Sequence, residues 1–210
     1  VIRTVGGGGR QLGATHSQTP DAMFAHFPGL KVVAPGTPAD AKGLLKAAIR
    51  SEDPIFFIEH ATLYQTRGEV PEGDFVVPIG KSTIQRPGRD VTIVTYSKML
   101  ELSLKAAEQL TTEGIEAEIV DLRSLRPLDM DPVLESVRRT HRAVMVEEGW
   151  KSFGVGSEIS ARIHEEAFDD LDAPVKRVAQ LEVPLPYNRA LEQMALPKVE
   201  HIIQAVKEVL

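Results

Sequence analysis

The residues best placed to do chemistry lie in the stretch Arg10-Gln-Leu-Gly-Ala-Thr-His-Ser-Gln18, which four glycines, Gly6 to Gly9, lead into. Glycine takes positive φ without penalty and lets a backbone come close to a ligand. His16 is the side chain in this stretch that changes charge near neutral pH, so it is the candidate for moving a proton. Ser17 and Gln18 are its polar neighbours. The stretch reads as a site loop, and as half of a site.

Two other polar clusters follow expected strands, where ligands gather in open α/β sheets. They are Asp121-Leu-Arg-Ser-Leu-Arg-Pro127 and Glu147-Glu-Gly-Trp150. Arg123 and Arg126 read as solvated or ion-paired groups. Glu147 and Glu148 point to opposite faces if the strand persists, which argues against a paired-carboxylate centre. Trp150, the single tryptophan, reads as packing or interface. His26, His141, His164 and His201 read as ordinary surface or helix residues, and no spacing suggests a metal site. No Gly-Lys-Ser or Gly-Lys-Thr follows the glycines, and neither a nucleophile elbow nor a His-Glu-x-x-His occurs.

The elements that must position these residues follow from the alternation of apolar runs and breakers. The chain has 210 residues, 42% hydrophobic, enough for one large or two small domains with a real core. Residues 30–34 and 54–58 read as buried strands. Between them Thr37 caps a helix with Pro38 in its first turn and Asp40 at its positive end. A short helix is expected over residues 20–27. Strand, helix, strand makes one βαβ unit. From His60 to Pro78 glycines, prolines and charges dominate, so residues 1–60 read as one domain, 61–78 as a linker and 79–210 as a second domain. There the alternation restarts, with strands at 90–95, 115–120, 142–147 and 175–181. Helices are expected at 97–113, from Asp131 as cap to 140, at 155–168, and from Pro197 to the C-terminus. The fold class is α/β on a mostly parallel sheet.

Composition excludes several classes. The net charge of -6 is interspersed along the chain, which argues against a nucleic-acid surface. With no cysteine there are no disulfides, thiolate metal sites or cysteine nucleophiles, and a reducing compartment fits. No apolar run approaches the length of a membrane span, so no membrane partner is expected. Val1-Ile-Arg-Thr-Val5 is no signal peptide, and a chain opening this way reads as cut from something longer.

The runs Gly13-Ala-Thr-His-Ser-Gln18, Phe24-Ala-His-Phe-Pro-Gly-Leu-Lys-Val-Val-Ala-Pro35 and Asp40-Ala-Lys-Gly-Leu-Leu-Lys-Ala-Ala-Ile-Arg50 resemble the beta subunit of the 2-oxo acid dehydrogenases, the thiamine-diphosphate decarboxylating component. The same family is matched by Val120-Asp-Leu-Arg-Ser-Leu-Arg-Pro-Leu-Asp129, Val146-Glu-Glu-Gly-Trp150, Phe153-Gly-Val-Gly-Ser-Glu158 and Leu171-Asp-Ala-Pro174. The Glu-Glu-Gly-Trp and Phe-Gly-Val-Gly runs are closer to the pyruvate or acetoin enzymes than to the branched-chain one.

The resemblance implies a pyrimidine-binding domain lacking its front half, then a transketolase C-terminal-like domain. The family's cofactor-activating glutamate falls in that front half. Cofactor-binding residues are therefore expected in that missing part and on an alpha subunit, together with thiamine diphosphate and its magnesium. By the same resemblance, His16 faces the substrate channel and takes part in stabilising a developing carboxylate or alkoxide, or in acyl transfer to lipoyl. Ala48, Ile49, Ser51 and Asp53 match a potassium-binding loop of some members, with Ser51 in place of the usual aspartate and Asp53 where asparagine is common. Asp172 and the C-terminal carboxylate of Leu210 match positions that meet the acyltransferase core. The implied partners are an alpha subunit, a second beta subunit and the dihydrolipoyl acyltransferase core with its lipoyl domain, in the cytoplasm or the mitochondrial matrix. The activity the resemblance implies is oxidative decarboxylation of a 2-oxo acid, pyruvate first, with acyl transfer to lipoyl; the alternatives are an acetoin or branched-chain 2-oxo acid dehydrogenase beta subunit, a non-catalytic fragment that docks the core, and another transketolase-type enzyme. The His-Ser-Gln and Glu-Glu-Gly-Trp context argues against the last.

Overall fold

A computed structural model describes all residues, Val1–Leu210. The first half builds β1 (Ile2–Gly6), α1 (Asp21–Ala25), β2 (Lys31–Val33), α2 (Pro38–Arg50) and β3 (Ile55–His60). The three strands are parallel, with β3 central between β1 and β2. Helix α2 starts as its sequence dictates: the Thr37 hydroxyl accepts from the Asp40 amide at 3.0 Å and donates to the Asp40 carboxylate at 2.7 Å. The helix expected over 20–27 shrinks to Asp21–Ala25, capped by His26, because Pro28 disfavours helical backbone at Phe27 before it.

The second half builds β4 (Thr83–Arg86), β5 (Val91–Thr95), α3 (Lys98–Thr112), β6 (Ala117–Asp121) and β7 (Ser124–Arg126). It continues with α4 (Asp131–Thr140), β8 (Ala143–Trp150), α5 (Val155–Ala167), β9 (Lys176–Gln180), α6 (Arg189–Ala195) and α7 (Val199–Lys207). Its five-stranded sheet has the order β4-β6-β5-β8-β9, parallel except for β4 at the edge. Central β5 and β6 are buried throughout, as strands covered on both faces must be. Asp131 stands in the first turn of α4 rather than at its cap, which is Met130, and still faces the positive end of the helix.

Strands β4 and β7 and helix α6 escape the sequence reading. They are three to seven residues long; β4 and β7 are too short to carry a period, and the apolar period of α6 is misleading, because Leu191 and Met194 are exposed while Glu192 is buried. Strand β7 matters most. It leaves the second sheet after Asp121 and pairs antiparallel with β2, Val32 opposite Arg126 and Val33 opposite Ser124. The Ala34 amide donates to the Arg123 carbonyl at 2.8 Å, and the Arg126 guanidinium donates to the Ala25 carbonyl at 2.8 Å. Arg123 Nε lies 3.1 Å from Asp40 Oδ1, both largely buried, but is not aligned for a hydrogen bond, so this pair attracts by charge alone. The main apolar cluster spans the seam, joining Val32, Ala34 and Ile58 to Val94, Leu122 and Met145. Residues 66–82 form neither helix nor strand, yet Phe75, Val77 and Ile79 pack against Leu44, Ala48 and Phe57.

Removing one partner of a buried ion pair leaves the other charged and unsolvated. Arg123→Ala should therefore destabilise the chain by roughly 3 kcal/mol, read as a lowered midpoint in urea by circular dichroism.

Candidate functional site

The glycine run leaves the end of β1 and crosses to the carboxyl end of β8. Gly7, at φ +87°, packs flat on His60, and a Cβ there would lie 2.1 Å from its Nε2. No other residue type fits this position. The Gly8 amide donates to Glu148 Oε1 at 2.6 Å, and the other oxygen of Glu148 meets His60 Nε2 at 2.8 Å. His60 Nδ1 accepts from the Thr62 amide at 3.2 Å. That assigns the ring proton to Nε2, where it donates to Glu148. Both side chains are buried. Burial pushes the Glu148 carboxyl up, but the hydrogen bond and attraction of His60, and then the Gly8 amide, outweigh it and hold the group below its usual value.

A second carboxylate grips the same loop. Glu192 of α6, fully buried, accepts from the Gly9 amide at 3.0 Å, the Gln11 amide at 3.1 Å and Gln11 Nε2 at 2.8 Å. The loop then turns at Gly13, whose carbonyl accepts from the Ser17 amide at 3.1 Å. His16 rides on this turn, exposed to solvent. Ser17 is buried, and its hydroxyl has no partner. His16 lines none of the larger clefts, but Gln18, two residues on, borders one of about 450 Å³.

That cleft lies between α1 and the carboxyl ends of β5 and β8, with Asp21, Tyr96, Glu147 and Trp150 among its walls. Asp21 is buried, its Oδ1 has no hydrogen-bond partner, and desolvation pushes its carboxyl up to about 6. Glu147 is buried on the opposite face of β8 from Glu148 and accepts from the Gly156 amide at 3.1 Å. Desolvation still carries it up to about 7. The Tyr96 hydroxyl is raised well above its ordinary value by burial and by the carboxylates around it. The cleft therefore has carboxyls at its base that exchange protons near neutrality, which suits proton transfer better than charge binding. No group of three or more His, Asp or Glu side chains is arranged to hold a metal ion.

Residues 1–67 match the transketolase pyrimidine-binding domain, and residues 80–202 match the transketolase C-terminal domain. The chain belongs to the transketolase family. It is 48% identical over its whole length to the pyruvate dehydrogenase E1 component subunit beta of Porphyra purpurea, covering 63% of that protein. It is 50% identical to the mitochondrial subunit of Caenorhabditis elegans, over 99% of this chain and 60% of that one. The chain thus spans about three-fifths of the length of these curated relatives. A solved split-gene transketolase, described as an inactive beta4 tetramer, matches with a TM-score of 0.83 and 29% identity, over 100% of this chain and 65% of that one.

On this transketolase scaffold the residues singled out from sequence fall in separate places. The Ala48–Asp53 turn closes α2 far along the chain from the glycine loop. Ala48 is buried and its carbonyl accepts from the Ser51 amide, Ile49 is exposed, and Asp53 pairs with Lys31 at 2.6 Å. Asp172 is exposed and pairs with Arg142 at 3.3 Å, and Leu210 is exposed at the end of the chain. Trp150 donates from Nε1 to the Val183 carbonyl at 3.1 Å, a packing role. Glu147 and Glu148 do diverge to opposite faces. The sequence reading passed over His60, Asp21, Tyr96 and Glu192. His60 could have been found as a polar residue ending an apolar strand, whereas nothing near Glu192 in sequence points to Gly9 or Gln11.

Asp21 and Glu147 bind protons more tightly folded than unfolded. Their contribution is fully present below their ordinary values and lost as pH rises through about 6 and about 7. A tenfold change in proton affinity is worth about 1.4 kcal/mol, so each carboxyl contributes on the order of 3 kcal/mol. Unfolding free energy should fall between about pH 4 and about pH 7 and level off above that, and Glu147→Gln should flatten part of that fall in urea titrations at each pH.

Proposed function

We propose that the chain works as part of the decarboxylating component of a 2-oxo acid dehydrogenase complex, with pyruvate as substrate. What carries this reading is its near-50% identity, end to end, to subunits named pyruvate dehydrogenase E1 beta. The held loop supports it, since that loop presents a protonatable side chain at its turn. Thiamine diphosphate is the implied cofactor, supplying the nucleophilic carbon that takes the 2-oxo acid. The residues of this chain do not fit its diphosphate and magnesium. The glycine amides that could cradle a phosphate are already donated to Glu148 and Glu192, and no cluster of three or more carboxylate or imidazole side chains is arranged to hold magnesium. Holding both falls to an alpha subunit.

In this reading His16 contributes proton chemistry at the shared pocket. Its imidazolium donates to a substrate oxygen as negative charge develops there, or to the sulfur of the lipoyl group as the acyl group arrives. The Gly13–Ser17 turn fixes where the ring stands, and the partner chains close the pocket. Asp172 and the Leu210 carboxylate face the acyltransferase core, where exposed charges steer association more than they hold it. The Ala48–Asp53 turn is the potassium loop. With Asp53 already paired to Lys31, the ion's ligands there are carbonyls and the Ser51 hydroxyl. The compartment is the cytoplasm or the mitochondrial matrix, the latter in line with relatives named mitochondrial.

In enzyme assembled with an alpha subunit, His16→Ala should lower lipoyl acylation by about 100-fold or more with an unchanged circular dichroism spectrum. Wild-type acylation would remove His16 from the site. Parallel turnover assays on pyruvate, branched-chain 2-oxo acids and acetoin should favour pyruvate. The 210 residues alone should bind thiamine diphosphate weakly or not at all by calorimetry, and tight binding would contradict the shared site.

A further inference from the structure

The chemistry proposed above gives Glu192 no part, yet it is among the most completely buried charged groups in the molecule. A buried carboxylate is costly unless donors converge on it. Glu192 has no cationic partner. Its donors are amides of the Gly9–Gln11 segment, two from the backbone and one from the Gln11 side chain. Gln11 stands at φ +54°, a left-handed conformation that a non-glycine residue keeps only where its surroundings impose it. Here Glu192 holds both its main-chain and side-chain amides, and the side chain also donates to the Gly9 carbonyl at 3.2 Å.

Two residues further on, Gly13 lies against the Tyr187 ring, just before α6, so closely that a Cβ would come within 2.6 Å of it. The same Gly13 carbonyl closes the turn that bears His16. One short stretch of the C-terminal domain thus anchors the loop on both sides of Leu12. A loop hung only from β1 and α1 would leave the turn free to swing.

We infer that Glu192 is a positioning residue: by clamping Gly9 and Gln11 it sets where the His16 imidazole stands. The inference rests on the catalytic reading of His16. A purely structural anchor would tie α6 to the loop without any coupling to His16, and the two roles differ in what they do to turnover.

The test uses enzyme assembled with its alpha subunit. Glu192→Gln keeps the side chain's size but turns one acceptor into a donor facing the loop amides. Hydrogen exchange at Gly9 and Gln11 should rise at least about tenfold, while exchange in β5 stays as in the wild type. The kcat for lipoyl acylation should fall about 10- to 100-fold, with KM for the 2-oxo acid within about twofold. The double variant with His16→Ala should be no slower than His16→Ala alone. If Glu192→Gln does not fold, Gln11→Ala, which removes the side-chain bonds to Glu192 and the Gly9 carbonyl but keeps the backbone ones, should show the same changes at smaller size. Unchanged loop exchange, a loss confined to KM, or losses that multiply in the double variant would overturn the inference. A wild-type rate for His16→Ala would instead sink the reading of His16 and the positioning role with it, while the exchange result would still report whether Glu192 holds the loop.

Discussion

Buried carboxylates must find donors, and in this fold two of them find the backbone of one loop. Glu148 takes the amide of Gly8, and Glu192 takes those of Gly9 and Gln11. A run of four glycines would otherwise be the least ordered part of the chain, since glycine has the most backbone freedom to lose. Satisfying those acids orders it. The physical trade runs both ways: the loop gains a fixed path, and the acids gain the donors without which their burial would be prohibitive.

Both acids belong to the second half of the chain, whereas the loop belongs to the first. The halves are therefore not independent bodies joined by a tether. Strand β7 enters the first sheet, Arg123 faces Asp40 across the seam, and an apolar cluster runs through both. The seam is also where the cleft opens, walled by α1 on one side and by the ends of β5 and β8 on the other. A site built there inherits its geometry from how the two sheets sit against each other.

The polar groups along that seam sort by how they are satisfied. Glu148 has His60 and an amide and stays ionised below its usual value. Asp21 and Glu147, with fewer donors for similar burial, are driven up to about 6 and about 7. Asp121 follows the same rule, raised to about 7 by burial and by its neighbour Asp40. Like residues in one neighbourhood thus carry different charge because their donors differ.

The long, periodic elements were legible in the sequence because the signal for each is local. Thr37 and Pro38 start α2, and the apolar runs at 55–58 and 91–95 are strands wherever they fold. The split of Glu147 from Glu148 followed from strand alternation alone, and the family was legible in long motifs that include His16. What only the tertiary structure decided is the set of contacts between residues far apart in the chain. Strand β7 is three residues with no period, and becomes a strand only because β2 offers it an edge. His60 and Glu148 stand 88 positions apart, and Gly9 and Glu192 stand 183 apart. No propensity or spacing rule reaches that distance. Such partners are fixed by the packing of two sheets, because only packing removes the water that would otherwise satisfy each group separately.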